Sequence, residues 1–334
     1  MAGNRKVEEG LEHIKNAEKS LKTSLLKWRP DYETAAEEYT KAATCFRNAK
    51  SYQQCRDCLL KAAEYHRQNR GLFYAAKALD QCILICKEMG DLRDIYDMAE
   101  RAAHMFQSQG NPDSATATLE KTAKILESQC PMEALNLFRH AADIAGIQDN
   151  QRQAAEYTSK VARLHVKLQQ YDQAADAIRR EIGIHQAHES IQAVGRLVVA
   201  LVLVQLARGD IVAAEKAFKE WGNYCDPPEI QNLEMLLQAY DEEDRDNAKR
   251  ALNDPFIKHM DVEYAILARD LPLPQGTVVT QKKPIIENAT DEYKRVRPQN
   301  DEYIPSEGRG KESTRDMEER ATAEDEDEYS GGLC

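Results

Sequence analysis

Small and bulky apolar residues recur along the first part of the chain with a fixed step. KAATCF begins at Lys41, KAAEYH at Lys61, RAAHMF at Arg101, KTAKIL at Lys121, HAADIA at His140 and KVARLH at Lys160. The step is 19 or 20 residues, except for a doubled one between Lys61 and Arg101 that ALDQCILIC, Ala78 to Cys86, fills in weaker form. Each unit carries a cation or histidine, then small residues, then bulky apolar ones three to four positions on, the spacing of one helix face. Polar or turn-forming stretches such as NAKSY, QNRG, EMGD, SQGNPD and IQDN separate the units. Pro112 and Pro131 suit the first turn of new helices, and Gly90 and Gly110 suit helix ends.

Such a helix cannot bury its apolar face alone. Alanines such as Ala42, Ala43, Ala62, Ala63, Ala102 and Ala103 let neighbouring backbones approach, and Phe46, Tyr65 and Phe106 fill the gaps. Two helices make a hairpin of roughly 40 residues, the size of a helical repeat. The pattern predicts an all-α chain whose residues 1–190 form an α-solenoid resembling tetratricopeptide repeats, with units longer than the usual ~34 residues. The pattern changes after Ile191. LVVALVLVQLA, Leu197 to Ala207, is apolar all round and must be surrounded by other helices. It is about half the ~20 residues a membrane span needs. IVAAEKAFKEWGNY, NLEMLLQAYDEED and NDPFIKHMDVEYAILARDL supply further helices, so residues 191–274 read as a C-terminal helical bundle.

Composition alters the picture mainly at the end of the chain. Charged residues make up 31%, aromatics 7%, and net charge is −12. From Gln275 onward there are 9 basic and 15 acidic residues, so half of the net charge sits in the last 60 residues. Residues 275–334 read as a disordered acidic tail. The body is close to balanced, which excludes nucleic acid as the chain's partner. DEY occurs three times in the tail, ending at Tyr293, Tyr303 and Tyr329, and composition bias is its simplest explanation. MAGNRKVEEGLEH has no apolar core of a secretory signal. The eight cysteines are scattered among helix-forming residues, as small buried hydrophobes in a reducing compartment.

Candidate chemistry is sparse. Cys55 and Cys58 have redox spacing but lie inside a repeat helix with no strand beside it. Cys82 and Cys86 share a helix face without a second ligand pair of metal-site spacing. His185 and His188 miss the i, i+4 spacing and the glutamate of a metalloprotease helix. Gly308 to Lys311 echoes a phosphate loop without its strand. Cys334 is the last residue, whereas prenylation needs a cysteine fourth from the end, where Gly331 stands. The reading is therefore of a protein that is not an enzyme, with no cofactor and no metal.

Three surfaces carry the functional expectation. In SLLKWRPDY, Ser24 to Tyr32, the residues Leu25, Leu26 and Trp28 are interleaved with Lys27 and Arg29. These apolar residues either dock back onto the body or protrude as a wedge suited to an anionic membrane. The recurring cations, Arg101, Lys121 and Lys160 among them, form either a basic stripe for an acidic elongated partner or ordinary solvated helix charge. Last, the acids Glu324, Asp325, Glu326, Asp327 and Glu328 precede Leu333 on a Gly331–Gly332 hinge. A leucine on such an arm is a partner-binding tip.

EGLEHIKNAEKSLKTSLLKWRPDYETAAEEYTKAA, Glu9 to Ala43, together with DPFIKHMDVEYAILARDL, Asp254 to Leu271, and EDEYSGGLC, Glu326 to Cys334, resembles the soluble NSF attachment proteins, above all their gamma type. The longer stretch Lys282 to Glu319 departs from the family pattern. The resemblance implies a twisted sheet of antiparallel helices with a terminal bundle, acting as an adaptor. It implies that several copies wrap a SNARE complex, built of syntaxin-type and vesicle SNAREs, and present it to the hexameric NSF ATPase for disassembly in vesicle trafficking. It implies that Leu333 stimulates the ATPase, and that Leu25, Leu26, Lys27, Trp28 and Arg29 form a weak membrane contact. It also implies that Lys160, in SKVARL, touches the SNAREs, with a cytoplasmic, peripherally membrane-associated location. A general helical-repeat scaffold that binds short peptides or helices is the alternative.

Overall fold

A computed structural model describes residues 2–23, 28–188 and 190–275. The expected repeats appear as a run of antiparallel helices: α1 (Ala2–Leu21), α2 (Tyr32–Asn48), α3 (Tyr52–Gln68), α4 (Leu72–Met89), α5 (Ile95–Ser108), α6 (Pro112–Leu126), α7 (Pro131–Ile147), α8 (Gln151–Lys167) and α9 (Tyr171–Ala187). Each packs on the next. The chain is all-α among the described residues, a helical-repeat solenoid like that of tetratricopeptide repeats. The alanines sit where the pattern put them: Ala36, Ala42, Ala62, Ala76, Ala102 and Ala103 have no exposed surface. ALDQCILIC is the middle of α4, with Leu79, Cys82 and Ile83 buried, so the weak repeat is a full one.

The turns follow one rule. After α2, α3, α4, α5, α7 and α8, a single residue adopts a left-handed conformation, at Lys50, Arg70, Gly90, Gly110, Asp149 and Gln169. The next N–H reaches back to a carbonyl of the last helical turn, as from Ser51 to Phe46 O at 2.9 Å and from Asn150 to Ala145 O at 2.9 Å. This closes carbonyls that the helix end would otherwise leave open. Only two of the six positions are glycine. Pro112 and Pro131 open α6 and α7 as expected.

Polar side chains link several helices to the helix after next. Thr118 Oγ1 on α6 donates to Asp80 Oδ1 on α4 at 3.0 Å, and Lys121 joins the same carboxylate. His140 on α7 meets Glu100 on α5 at 2.9 Å, and Tyr157 on α8 donates to Glu120 on α6 at 3.1 Å. Arg180 on α9 pairs with Asp143 on α7 at 2.9 Å. Side chains of alternate helices therefore share a face, and the two faces belong to odd and even helices.

A second hydrophobic cluster runs from α8 and α9 into α10 (Ile191–Arg208), α11 (Ile211–Trp221), α12 (Pro227–Asp241), α13 (Arg245–Leu252), α14 (Pro255–Lys258) and α15 (Val262–Asp270). Val198, Leu201, Val202 and Leu203 on α10 are fully buried, which accounts for the apolar run. Gly195 lets the 222–225 turn lie against α10, since a Cβ there would meet Tyr224 O at 2.7 Å. The sequence pattern missed α13, whose RDNAKRAL is mostly polar. Its start is held by Asp244, which accepts from the Asp246 and Asn247 amides at 3.0 and 3.1 Å. DPFIKHMDVEYAILARDL is also divided: a short α14 precedes α15, each opened by an aspartate.

Polar groups gather where α15 packs on α8, partly buried and partly exposed. Arg163 Nη1 on α8 pairs with Asp261 Oδ1 at the head of α15 at 2.9 Å. Beside it, Glu181 of α9 is 5% exposed, and burial pushes its carboxyl up to about 8, with Ser159 and Arg163 pulling the other way. One of its oxygens and the hydroxyl of buried Tyr264 on α15 lack hydrogen-bond partners. His185, 3.9 Å from Glu181, is held below its ordinary range, first by burial.

Two outcomes follow from this packing. Ala103→Phe places a ring where no exposed surface remains and is expected to cost ~1–3 kcal/mol, read by denaturant unfolding; an unchanged midpoint would refute close approach there. Glu181 is protonated in the folded state up to about pH 8 but ionises at its ordinary value when unfolded. Stability is therefore lost as pH rises from about 4.5 to about 8. Glu181→Gln, which mimics the neutral form, is expected to be more stable than the parent at pH 8, by on the order of a few kcal/mol. The gain should shrink towards pH 5, as thermal melts across that range will show.

Candidate partner-binding site

The connection between α1 and α2 is pinned at its base. The Asp31 N–H donates to Ser20 O at 3.1 Å, and the Asp31 carboxylate caps α2 by accepting from the Thr34 N–H at 3.0 Å. Within this connection Trp28 is 89% exposed and Arg29 is exposed too. A free indole beside a guanidinium is an amphipathic pair suited to an interface between water and an apolar phase. Leu25, Leu26 and Lys27 lie outside the described residues, as do Glu324 to Glu328 and Leu333.

The recurring cations do not behave alike. Lys121 is half-buried and committed to Asp80, so internal structure uses its charge. Lys41 pairs with Glu38 at 2.7 Å, and Lys61 lies 5.2 Å from the centre of the Tyr39 ring. Arg101 is exposed on α5, near Glu64. Lys160 on α8 is half-buried with no ion pair among the described residues. Lys121 and Lys160 lie on even helices and Arg101 on an odd one. The candidates are therefore divided between the two faces, because each turn of the chain reverses the side that a helix presents.

The even-helix face holds a groove of about 620 Å³ lined by Leu84, Leu92 and Ile125 with Lys87, Lys121 and Lys124. Lys124 pairs with Glu120 on its own helix. The sequence reading missed Lys87 and Lys124. The available signal was the one-turn step from Lys121 to Lys124, but nothing in the chain places Lys87 beside them. Glu120 lines it as well, so with Lys121 and Lys124 paired only Lys87 offers an ammonium without an ion pair among the described residues.

The buried thiols are poor nucleophiles. Burial pushes Cys55 up to about 11 and Cys58 up to about 12, which disfavours the thiolate that redox chemistry needs. No helix among the described residues is long and apolar enough to cross a membrane.

Fold and surface together define a helical-repeat binding scaffold. Its family is also clear: the model of the soluble NSF attachment protein (SNAP) family matches residues 8–256, and the chain belongs to that family. It is 23% identical over 281 residues to a gamma-soluble NSF attachment protein of Dictyostelium discoideum, covering 83% of this chain and 86% of that one. The gamma-soluble NSF attachment protein of Arabidopsis thaliana is 22% identical over 269 residues, 80% of this chain and 92% of the other. An alpha-soluble NSF attachment protein of Vitis vinifera is 29% identical over 246 residues, 71% and 84% of the two chains.

Proposed function

We propose that this chain is a non-enzymatic adaptor that binds SNARE complexes, recruits the NSF ATPase and stimulates it to disassemble them. The family match across residues 8–256 carries this reading. In it, residues 1–190 grip the SNARE bundle, with Lys160 as the leading contact and Lys121 and Arg101 as lesser ones. Residues 191–274 and the acidic tail 275–334 face the ATPase. Glu324 to Glu328 steer that encounter by their charge, and Leu333 is the stimulating tip. The loop with Leu25, Leu26, Lys27, Trp28 and Arg29 holds the adaptor weakly on the membrane, so the protein works in the cytoplasm and at membrane surfaces. The exposed indole of Trp28 supports that role. The apolar groove between the lysines favours one further reading, a scaffold for amphipathic peptides that has no use for the tail.

An NSF ATPase and disassembly assay on SNARE-bearing liposomes separates the two. The full chain is expected to stimulate both. Leu333→Ala should keep its melting temperature and its SNARE capture but lose most of the stimulation. Lys160→Glu should lose capture, more at low salt than at high salt, because screening already weakens the wild-type attraction there. Wild-type disassembly by Leu333→Ala at limiting protein would leave the peptide scaffold as the better reading.

Replacing Leu25, Leu26 and Trp28 together with serine is expected to weaken flotation with anionic liposomes while leaving the melting temperature nearly unchanged. A large drop in melting temperature would place the loop in the core instead.

A further inference from the structure

We propose that Glu9, His13 and Cys45 form a zinc site between α1 and α2, with Glu38 orienting the histidine. Glu9 and His13 are one turn apart on α1, and Glu38 and Cys45 are two turns apart on α2, so each pair lies on one helix face. The two helices run antiparallel, which sets Glu9 opposite Cys45 and His13 opposite Glu38. One ligand atom from each of Glu9, His13 and Cys45 lies within 4.8 Å of the other two. Gly10 assists the convergence: a Cβ there would stand 3.0 Å from the Phe46 ring, tighter than an ordinary contact, so glycine eases the approach of α1 to the helix that carries Cys45.

The chemistry of the set selects the metal. A thiolate, an imidazole and a carboxylate suit zinc, whereas calcium and magnesium take oxygen ligands throughout. His13 Nδ1 lies 2.8 Å from Glu38 Oε2. Lys41 Nζ donates to the other carboxylate oxygen at 2.7 Å, so Glu38 accepts at both oxygens and Nδ1 carries the proton. In the neutral ring this leaves Nε2 as the bare nitrogen. A carboxylate behind a ligating histidine is the usual outer support of a zinc site. Bonds of about 2.0–2.3 Å at tetrahedral angles put ligand atoms roughly 3.3–3.8 Å apart, so side-chain rotation of about 1 Å completes the triad. Water fills the fourth position.

Without metal the site is closed by other partners. Lys6 Nζ lies 2.7 Å from Glu9 Oε2, and Cys45 is buried between the helices. On binding, the Cys45 S–H bond breaks, its proton passes to solvent, a Zn–S bond forms and Glu9 exchanges the Lys6 ammonium for the cation. No oxidation occurs. Since α1 packs chiefly on α2, a metal bridge between the two would secure that junction. The sequence shows no sign of this, because the ligands sit on two helices with no motif spacing.

The test titrates the full-length, reduced, metal-free protein with cobalt(II) and then zinc. One equivalent of cobalt is expected to give visible bands of tetrahedral coordination and a thiolate-to-metal charge-transfer band, both erased by one equivalent of zinc. Cys45→Ser and Cys45→Ala should each lose the charge-transfer band, and His13→Gln the tetrahedral bands, with helicity by circular dichroism unchanged. Glu38→Gln should keep the site and weaken zinc about 10–100-fold in competition with a chromophoric chelator. The paired variant Cys55→Ser, Cys58→Ser should match the parent. Absence of the bands in the parent, their persistence in both Cys45 variants, or their loss in the Cys55, Cys58 variant overturns the proposal.

Discussion

Everything in this protein depends on helices approaching closely enough to share a core. A single helix of 14 to 18 residues, the length of most repeats here, is marginal in water, and its apolar face has no partner of its own. Alanines at each crossing remove the side-chain bulk that would hold neighbours apart. Phe46, Leu79, Phe106, Leu119 and Phe138 then reach into the spaces between helices. Stability in such an array belongs to the junctions more than to the helices. The junctions differ along the array: α10 and the helices around it share a closed core, while α1 packs chiefly on α2.

The repeat was legible because it is built on residue size, and size is written directly in the sequence. The 20-residue spacing of alanine pairs, Pro112 and Pro131 at helix starts and the unbroken apolar run of α10 all have local causes. What escaped reading has causes elsewhere in the fold. Lys50, Arg70, Asp149 and Gln169 adopt left-handed conformations without being glycine, because the reaching-back hydrogen bonds hold them there. The polar α13 is helical because Ala248, Ala251 and Leu252 are buried by its neighbours and Asp244 caps its start. Lys121 looks like its counterparts in sequence, yet Asp80, 41 residues earlier, claims its charge. Of the candidate site, the residues alone left Trp28 either docked or protruding, and its exposure, like the division of the cations between two faces, requires knowing how the helices pack.

The same distinction bears on how a solenoid makes a binding surface. A cation repeated at every unit is not automatically available to a partner, since the fold takes some of these groups for itself. Lys121 serves Asp80, Lys61 covers an aromatic ring, and Lys160 is left unpaired among the described residues. The groove near Lys87, Lys121 and Lys124 arises from helices that are not neighbours in the chain. Side chains that share a face on this scaffold come from alternate helices, with the intervening helices acting as support.

The links from a helix to the helix after next also have a mechanical meaning. An array joined only at neighbouring helices bends at every junction, and its flexibility grows with its length. Asp80 to Lys121 and Glu120 to Tyr157 tie the even face, while Glu100 to His140 and Asp143 to Arg180 tie the odd face. A bend in either direction must stretch one of these rows. The array thus behaves as a braced beam whose ties are mostly charged and partly exposed, so salt loosens it by screening while its apolar junctions remain intact.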